Sequence, residues 1–306
     1  MSRFVQQQEI TEDFELEVID RDEPHAGPGQ VRVRVRAAGL NPVDWKVASL
    51  PAVAAAFGVS APGGFGNDYA GEIDEVGDGV DGFQVGDRVF GGARGRALAD
   101  HILVTVAETT LERTPDALDD TRAAALQIAG KTADAVVHVV GTASGETVLI
   151  GGAAGGVGVL AVQLAVAAGA RVIATASESN HEFLRGLGAE PTTYGDGLVE
   201  RVRELAPEGV DAAIDLQGTE TVEAAIELGV APERIATIAV GPNPPHGAVA
   251  TGGGSATPGA LERIAQGIAD GEIELPIAAT FPLEQVVDAV ELQKSGHVRG
   301  KVVVTL

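Results

Sequence analysis

Residues 147–158 read TVLIGGAAGGVG, and a second apolar run, RVIAT, follows at residues 171–175. The spacing predicts a strand, a helix from Gly156 to Gly169 and a second strand. Glycines in this context allow a tight turn, a close approach of the backbone to a pyrophosphate and close packing of the helix on the sheet. The stretch therefore predicts a strand–helix–strand unit that binds a dinucleotide at the helix N-terminus.

The loop fits the spacing GxGxxG with one change, because Ala153 stands in the first glycine place and is followed by Gly155 and Gly158. A glycine-rich turn without a ligand is the alternative, but the strand–helix–strand context favours binding. A P-loop is excluded, since no Gly-Lys-Ser/Thr follows. The predicted phosphate contacts are Ala153, Ala154, Gly155, Gly156, Val157 and Gly158.

The end of the second predicted strand bears on the choice between NAD and NADP. An acidic residue there would bind the ribose 2′-hydroxyl and favour NAD. This chain instead has Thr175, Ser177 and Asn180, whose short polar side chains suit a 2′-phosphate better. Glu178 is close enough to keep NAD open as the alternative. We expect NADP(H) as the cofactor.

Composition limits the class of protein. The chain has 306 residues, 45% of them hydrophobic and 21% charged, which suits a globular protein of two domains. Its net charge of -23 disfavours nucleic acid and membrane surfaces as partners. The absence of cysteine excludes disulfides and a cysteine nucleophile. No signal peptide is recognisable at the start, so we expect a cytoplasmic location.

The first third and the rest of the chain predict different architectures. Val31–Arg36 alternates strictly and is flanked by short apolar runs between turn clusters, which predicts a small, irregular, barrel-like β domain. From Asp116 onwards strands and helices alternate, which predicts a parallel sheet covered on both faces. Further elements expected there are helices at residues 123–140, 182–188, 220–228 and 283–294, strands at residues 211–215, 234–240 and 301–305, a helix start at Thr257–Pro258, and a mobile loop at residues 241–254.

Five motifs besides the glycine-rich loop carry a family resemblance. They read GLNPVDWK at residues 39–46, GNDYAG at 66–71, VGDRV at 85–89, FLRGLG at 183–188 and GHVRGK at 296–301. With them the chain resembles the medium-chain dehydrogenase/reductase superfamily, in its zinc-independent quinone oxidoreductase-like branch. The resemblance implies a Rossmann-type, doubly wound parallel sheet domain inserted in a mostly β, GroES-like catalytic domain, with the active site in the cleft and a homodimer as the usual assembly.

The resemblance also predicts domain boundaries and the absence of zinc. The catalytic domain is expected at residues 1–117 and 277–306, and the dinucleotide-binding domain at residues 118–276. Zinc-dependent members have a cysteine where this chain has Asn41 and a histidine where it has Asn67. A catalytic zinc needs three nitrogen, sulfur or carboxylate ligands, which an asparagine pair does not supply, so we expect no metal.

Candidate catalytic residues lie near these two asparagines. Asn41 and Asp44 match family positions near the nicotinamide; the alternative for Asp44 is a helix N-cap. Asn67 and Tyr69 share one face if that segment is a strand. Tyr69 could donate a proton or bond the acceptor oxygen, and a packed tyrosine explains it equally well.

The remaining candidates lie in the second part of the chain and at its end. Thr132 is expected to contact the nicotinamide end of the cofactor and to serve in catalysis, while Lys131 meets either a phosphate or a surface carboxylate. Gly218 and Gly241 are expected as further cofactor contacts, Gly241 through its backbone. Lys301 matches a common Gly-Lys pair, and a surface salt bridge explains it as well.

Three hypotheses of function follow. Without zinc nothing strong polarises an alcohol for oxidation, whereas a quinone or an α,β-unsaturated carbonyl itself accepts the charge of a hydride. An NADPH-dependent quinone or enone reductase acting on a small-molecule acceptor is therefore favoured. The alternatives are an NAD(P)-linked alcohol dehydrogenase-like enzyme and a non-catalytic NADPH-binding regulator.

Overall fold

The structure is a computed structural model that describes residues 1–306, and these residues form two compact units. One unit comprises Met1–Ile128, Ala265–Glu272 and Pro276–Leu306, and the other comprises Ala129–Ile264 and Ile273–Leu275. No helix combines the length and the apolar character that crossing a membrane requires.

The elements of the first part of the chain are mainly strands. They are β1 (Ser2–Gln7), β2 (Leu16–Arg21), β3 (Gln30–Leu40), α1 (Pro42–Ser49), α2 (Pro51–Phe57), β4 (Gly63–Gly64), β5 (Asp68–Val76), β6 (Arg88–Gly92), β7 (His101–Thr105), β8 (Leu111–Arg113) and α3 (Asp120–Ala123).

Helices and strands alternate in the middle of the chain, and three elements close it. They are α4 (Gln127–Val139), β9 (Thr147–Gly151), α5 (Gly156–Ala167), β10 (Arg171–Thr175), α6 (His181–Gly186), β11 (Glu190–Thr192), α7 (Leu198–Leu205), β12 (Ala212–Asp215), α8 (Glu220–Glu227), β13 (Ile235–Thr237), β14 (Val249–Ala250), α9 (Ala260–Ala269), β15 (Ile277–Pro282), α10 (Val286–Lys294) and β16 (Lys301–Thr305).

The first unit is built on a seven-stranded sheet and a small three-stranded sheet. The larger sheet has the order β15-β16-β3-β5-β6-β8, with β7 also paired to β3. Strand β3 contains the alternating valine and arginine run, and its valines are buried as that pattern predicts. Antiparallel pairing sets Gly39 opposite Asp68 and Leu40 opposite Val302, so the polar residues at these three strand ends become neighbours.

The second unit contains a six-stranded parallel sheet with the order β11-β10-β9-β12-β13-β14. The chain starts at the central strand β9, runs outwards through β10 and β11, and then returns to the other side of β9. This is the doubly wound Rossmann order, and the switch point lies at the carboxyl end of β9. The fold class predicted from the sequence is confirmed.

One predicted helix is interrupted. Residues 123–140 were expected to form a single helix, but the structure ends α3 at Ala123 and starts α4 at Gln127. The N–H groups of Ala125 and Leu126 donate to carbonyls three residues earlier, a tighter pattern that closes the first helix. No proline or glycine marks the break, which is why the sequence pattern missed it.

The helix start expected at Thr257–Pro258 is wrong by a short turn, because α9 begins at Ala260. The Thr257 hydroxyl and N–H both donate to the Asp134 carboxylate, at 3.0 and 2.6 Å, so this threonine does not cap the helix. Gly259, with a φ of 72°, separates Pro258 from the helix.

The late strand of the parallel sheet is shorter than the predicted 234–240, since β13 ends at Thr237. The Thr237 hydroxyl bonds the N–H of Ala239 at 3.2 Å, a local contact that competes with a strand ladder. The loop expected at residues 241–254 contains β14 and two short 3-10 turns, Pro245–Gly247 and Gly253–Ser255.

Candidate functional site

The glycine-rich loop lies at the switch point of the parallel sheet, between β9 and α5. Gly155 is the N-cap of α5, and no side chain caps this helix. The N–H groups of its first turn, which begins at Gly156, therefore have no side-chain acceptor and form the positive end of the helix dipole. This arrangement suits an anion such as a phosphate.

Two glycines of the loop are needed for different reasons. A Cβ atom at Gly158 would lie 2.3 Å from the carbonyl oxygen of Gly152 and 2.7 Å from the carbonyl carbon of Ala153, so the loop itself fills that space. A Cβ atom at Gly155 would meet only the Gly152 oxygen, at 3.5 Å, which is an ordinary contact. The space in front of Gly155 is open, as the approach of a phosphate requires.

The other predicted loop residues lie in the same turn. Ala153 and Ala154 are buried, and the Ala153 N–H donates to the carbonyl oxygen of Thr175 at 3.1 Å. This bond ties the loop to the end of β10, which contains the buried Thr175. Gly156 and Val157 are partly exposed at the tip.

Three polar side chains cluster just after β10. The hydroxyl oxygens of Ser177 and Ser179 lie 3.1 Å apart, and the amide nitrogen of Asn180 donates to the Ser177 hydroxyl at 3.0 Å. Ser179 was not among the predicted residues; a short 3-10 turn, Glu178–Asn180, brings it to Ser177. Hydroxyl and amide groups supply the donors that phosphate oxygens accept, while the Glu178 side chain is exposed.

Two predicted cofactor residues lie together on α4. Thr132 is buried and Lys131 is half-buried. Both residues lie beside Gly253. A Cβ atom built on Gly253 would lie 3.1 Å from the Lys131 Cβ and 3.7 Å from the Thr132 hydroxyl oxygen. They face a backbone with little steric bulk.

The two predicted glycines lie after later strands of the sheet. Gly218 follows β12, and its N–H donates to the Asp215 carboxylate at 3.0 Å. The same carboxylate accepts the Thr237 hydroxyl at 2.5 Å, so a buried aspartate shapes this edge of the sheet. Gly241 has a φ of 78° and no atom within 4 Å of a built Cβ. The structure does not bring these two glycines into one hydrogen-bonded group.

A buried polar network in the first unit joins Asn41, Asp44, Asn67, Asp68 and Lys301. The Asn41 side chain donates to Asp68 at 3.0 Å and accepts from the Lys301 ammonium group. The Asp44 carboxylate accepts the Asn41 backbone N–H at 2.7 Å and the Asn67 side-chain amide. All of these residues except Asn67 are at least 95% buried. The network holds two carboxyl groups and one ammonium group away from water.

Burial changes the protonation of this network. It raises the pKa of Asp44 to about 6 and that of Asp68 to about 7, because desolvation disfavours the charged carboxylate. Burial also lowers the pKa of Lys301, against the attraction of the two carboxyl groups. Lys301 in turn opposes the rise of both carboxyl pKa values. Burial therefore favours the neutral form of both carboxyl groups, while the Lys301 ammonium group favours their ionised form.

Two expectations about this region are corrected. Asp44 is not the N-cap of α1: Asn41 occupies that position, and Asp44 reaches back from the first turn to its N–H. Lys301 does not form a surface salt bridge, since it is 4% exposed and donates to the Leu40 carbonyl at 2.8 Å. A lysine that opens the apolar strand KVVVT, in a chain with few lysines, was the signal for a buried cation.

Tyr69 is fully enclosed. It is 0% exposed, its hydroxyl oxygen has no hydrogen-bond partner, and burial raises the pKa of its phenol. Asn67 lies one residue before β5 and is partly exposed, so the two side chains do not share an accessible strand face. These features favour the packed interpretation of Tyr69.

A small cavity of about 10 Å³ opens beside the network in the first unit. Its polar lining comprises Gln7, Asp44, Asn67 and Arg94, and its apolar lining includes Phe57 and Phe65. The Arg94 guanidinium lies 5.4 Å from the Phe57 ring and donates to the Phe57 carbonyl at 3.1 Å. A cavity of this volume has room for about one water molecule.

Comparisons with known proteins match both units. The family profile described as "Alcohol dehydrogenase GroES-like domain" matches residues 27–114, and the one described as "Zinc-binding dehydrogenase" matches residues 187–304. The solved structure of the quinone oxidoreductase from Coxiella burnetii is 28% identical in sequence and has a TM-score of 0.83 to this chain. The superposition covers 100% of this chain and 99% of that one.

Two characterised relatives are similar in sequence. The quinone oxidoreductase of Pseudomonas aeruginosa is 37% identical over 224 residues, which are 71% of this chain and 66% of that protein. The trans-enoyl reductase of Aspergillus japonicus is 29% identical over 212 residues, which are 64% of this chain and 60% of that protein. The chain thus spans less than two thirds of the length of both relatives.

The chain belongs to the medium-chain dehydrogenase/reductase superfamily and is quinone oxidoreductase-like. Some members of this superfamily bind zinc, but the residues here do not fit that metal. The side-chain amide of Asn41 donates to Asp68, and that of Asn67 donates to Asp44. The Lys301 ammonium group donates to the Asn41 amide oxygen. A catalytic zinc site needs imidazole, thiolate or free carboxylate ligands.

Proposed function

We propose that this protein is a zinc-independent, NADPH-dependent oxidoreductase that transfers hydride to a quinone or an α,β-unsaturated carbonyl. The network around Asn41 and Asn67 is the observation that carries the proposal. At the two positions where the family resemblance expects zinc ligands, it has amides that bond carboxyl groups and an ammonium group. The similarity to a quinone oxidoreductase and to a trans-enoyl reductase supports the same class of acceptor.

The second unit supplies the residues that would hold the cofactor. The pyrophosphate would accept hydrogen bonds from the N–H groups at the α5 N-terminus, beside the open space at Gly155. The 2′-phosphate would accept donors from Ser177, Ser179 and Asn180, where a carboxylate would have favoured NAD. When bound, NADPH supplies the hydride.

The first unit supplies the residues proposed for the acceptor. Asn67 gives one side-chain N–H to Asp44, which leaves a second N–H for a carbonyl oxygen. Hydrogen bonds of this kind stabilise charge that develops on the oxygen when hydride arrives. Phe57, which is 37% exposed, offers apolar surface to the carbon skeleton of a quinone or an enone beside these polar groups. Tyr69 has no part in this proposal, because its hydroxyl is enclosed.

The alternatives predict different turnover. An alcohol dehydrogenase, which the "Zinc-binding dehydrogenase" profile favours, would reduce NADP with alcohols. A non-catalytic regulator would bind NADPH tightly and reduce no acceptor. We also propose that the protein forms a homodimer and is located in the cytoplasm.

The test is NADPH oxidation followed at 340 nm with a panel of small quinones and enones, with NADH and alcohols plus NADP as parallel arms. We expect acceptor-dependent oxidation of NADPH that survives treatment with a chelator. Two results would contradict the proposal: activity only with alcohols and NADP, or activity that disappears when the chelator removes a bound metal.

A further inference from the structure

The side chain of Asn41 is held at both ends by charged residues. Lys301 donates to its amide oxygen, and the Asp68 carboxylate accepts from its amide nitrogen at 3.0 Å. A flipped amide would turn its NH₂ group towards the ammonium and its oxygen towards the carboxylate. The two charges therefore select one of the two amide orientations.

Lys301 is fully engaged in this contact. Its ammonium group also donates to the Leu40 carbonyl at 2.8 Å and lies 4.0 Å from the Asp68 carboxylate. Burying an ammonium group is costly, and an apolar side chain of similar volume often serves stability as well or better. Stability alone therefore does not account for a lysine at this position.

Asp68 is similarly committed. One of its oxygens accepts from Asn41 and from the Ile128 N–H, at 3.0 and 3.2 Å, while the other is buried without a partner. Through the same network Asp44 bonds both the backbone of Asn41 and the side chain of Asn67. Lys301 and Asp68 thus hold the Asn41 amide, and Asp44, which is bonded to the Asn41 backbone, holds the Asn67 amide.

We propose that Lys301 and Asp68 are positioning residues for hydride transfer: they fix the amide of Asn41 and, through the shared network with Asp44, that of Asn67. The inference rests on the proposed function, in which Asn67 donates to the acceptor, and on the expectation that Asn41 lies near the nicotinamide. A small displacement of such groups is enough to slow a reaction strongly.

Three titratable groups face one another in this network: Asp44 on α1, Asp68 on β5 and Lys301 on β16. The other neighbours are neutral amides and backbone groups. Removing the ammonium group raises both carboxyl pKa values further, because an opposite charge within 4–6 Å favours the ionised form. The ionised carboxyl groups accept hydrogen bonds from both amides, so a role in positioning predicts that their titration appears in the pH dependence of kcat.

The first test is Lys301→Met, measured with an acceptor that the wild-type protein reduces. We expect kcat to fall at least about tenfold, while the dissociation constant of NADPH, which the second unit binds, changes less than about threefold. The acid limb of the kcat profile should move up by about one pH unit or more. Unfolding temperatures show whether each variant is folded.

The double variant Lys301→Met/Asp68→Asn separates positioning from charge balance. The double variant removes the unpaired carboxylate that Lys301→Met leaves buried. If the two residues have a merely structural role, both the unfolding temperature and kcat should recover in the double variant. Positioning predicts that the unfolding temperature recovers while kcat stays low. Wild-type kcat in either variant overturns the inference.

Chemical rescue gives a matched pair, because the chain has no cysteine. In Lys301→Cys the single thiol is alkylated in the unfolded protein with 2-bromoethylamine, which rebuilds a lysine-like ammonium, or with 1-bromopropane, which gives a neutral chain of the same length. After refolding beside wild-type protein, we expect the aminoethyl form alone to regain kcat and the wild-type pH limb. Equal activity of the two forms overturns the inference. A wild-type protein that reduces no acceptor overturns the proposed function and this inference with it.

Discussion

The loop at the start of α5 allows stability and cofactor binding to be separated by two single substitutions. Gly155→Ala adds a methyl group at a φ of −74°, which alanine adopts freely, and its only near contact is 3.5 Å. The free energy of unfolding should therefore change by no more than about 0.5 kcal/mol. The methyl group projects into the space that we assign to the phosphates, so the dissociation constant of NADPH should rise at least about tenfold, or about 1.4 kcal/mol.

Gly158→Ala is the matched control. Its methyl group would lie 2.3 Å from the Gly152 oxygen, so the loop must shift. We expect a loss of about 1–3 kcal/mol of stability, as for other overpacked sites, and a melting temperature lower by about 2–4 °C per kcal/mol. Thermal unfolding and fluorescence titration with NADPH measure both effects. Wild-type affinity in Gly155→Ala would refute the assignment of the phosphate site.

Two further predictions concern the cofactor and the buried carboxyl groups. Ser177→Asp should weaken NADPH binding at least about tenfold and spare NADH, because a carboxylate repels the 2′-phosphate; equal losses for both would exclude this 2′-phosphate site. Burial raises the pKa of Asp68 in the folded protein to about 7 from 3.8. Between these pH values the folded state binds more protons than the unfolded state. The stability that this group contributes is therefore lost as the pH rises through that window. The stability of Asp68→Asn relative to wild type should therefore rise as pH increases from about 4 to about 7, by at most about 1.4 kcal/mol per pH unit. A difference that does not vary with pH in chemical denaturation would contradict the raised pKa.

Local patterns in the sequence were sufficient to predict the dinucleotide-binding half of the fold. The strand, the glycine-rich loop and the helix lie within one short stretch, and Gly158 has the steric reason that the sequence context predicts. The break after Ala123 was not predictable, because it depends on hydrogen bonds that no proline or glycine announces.

The network around Asn41 shows what the sequence could not reveal. Lys301 and Asn41 are 260 positions apart and meet only because β16 pairs with β3. Pairing across a sheet is set by tertiary structure, so the sequence did not show which residues the Lys301 ammonium group contacts. Asp68 was overlooked for the same reason, although it directly follows Asn67 in a motif that drew attention.

The most direct test of the account is acceptor-dependent oxidation of NADPH by protein whose zinc content has been measured in the same preparation. The account predicts turnover with a quinone or an enone at far less than one zinc per chain, and slower turnover with NADH. One zinc per chain together with activity only on alcohols would contradict it.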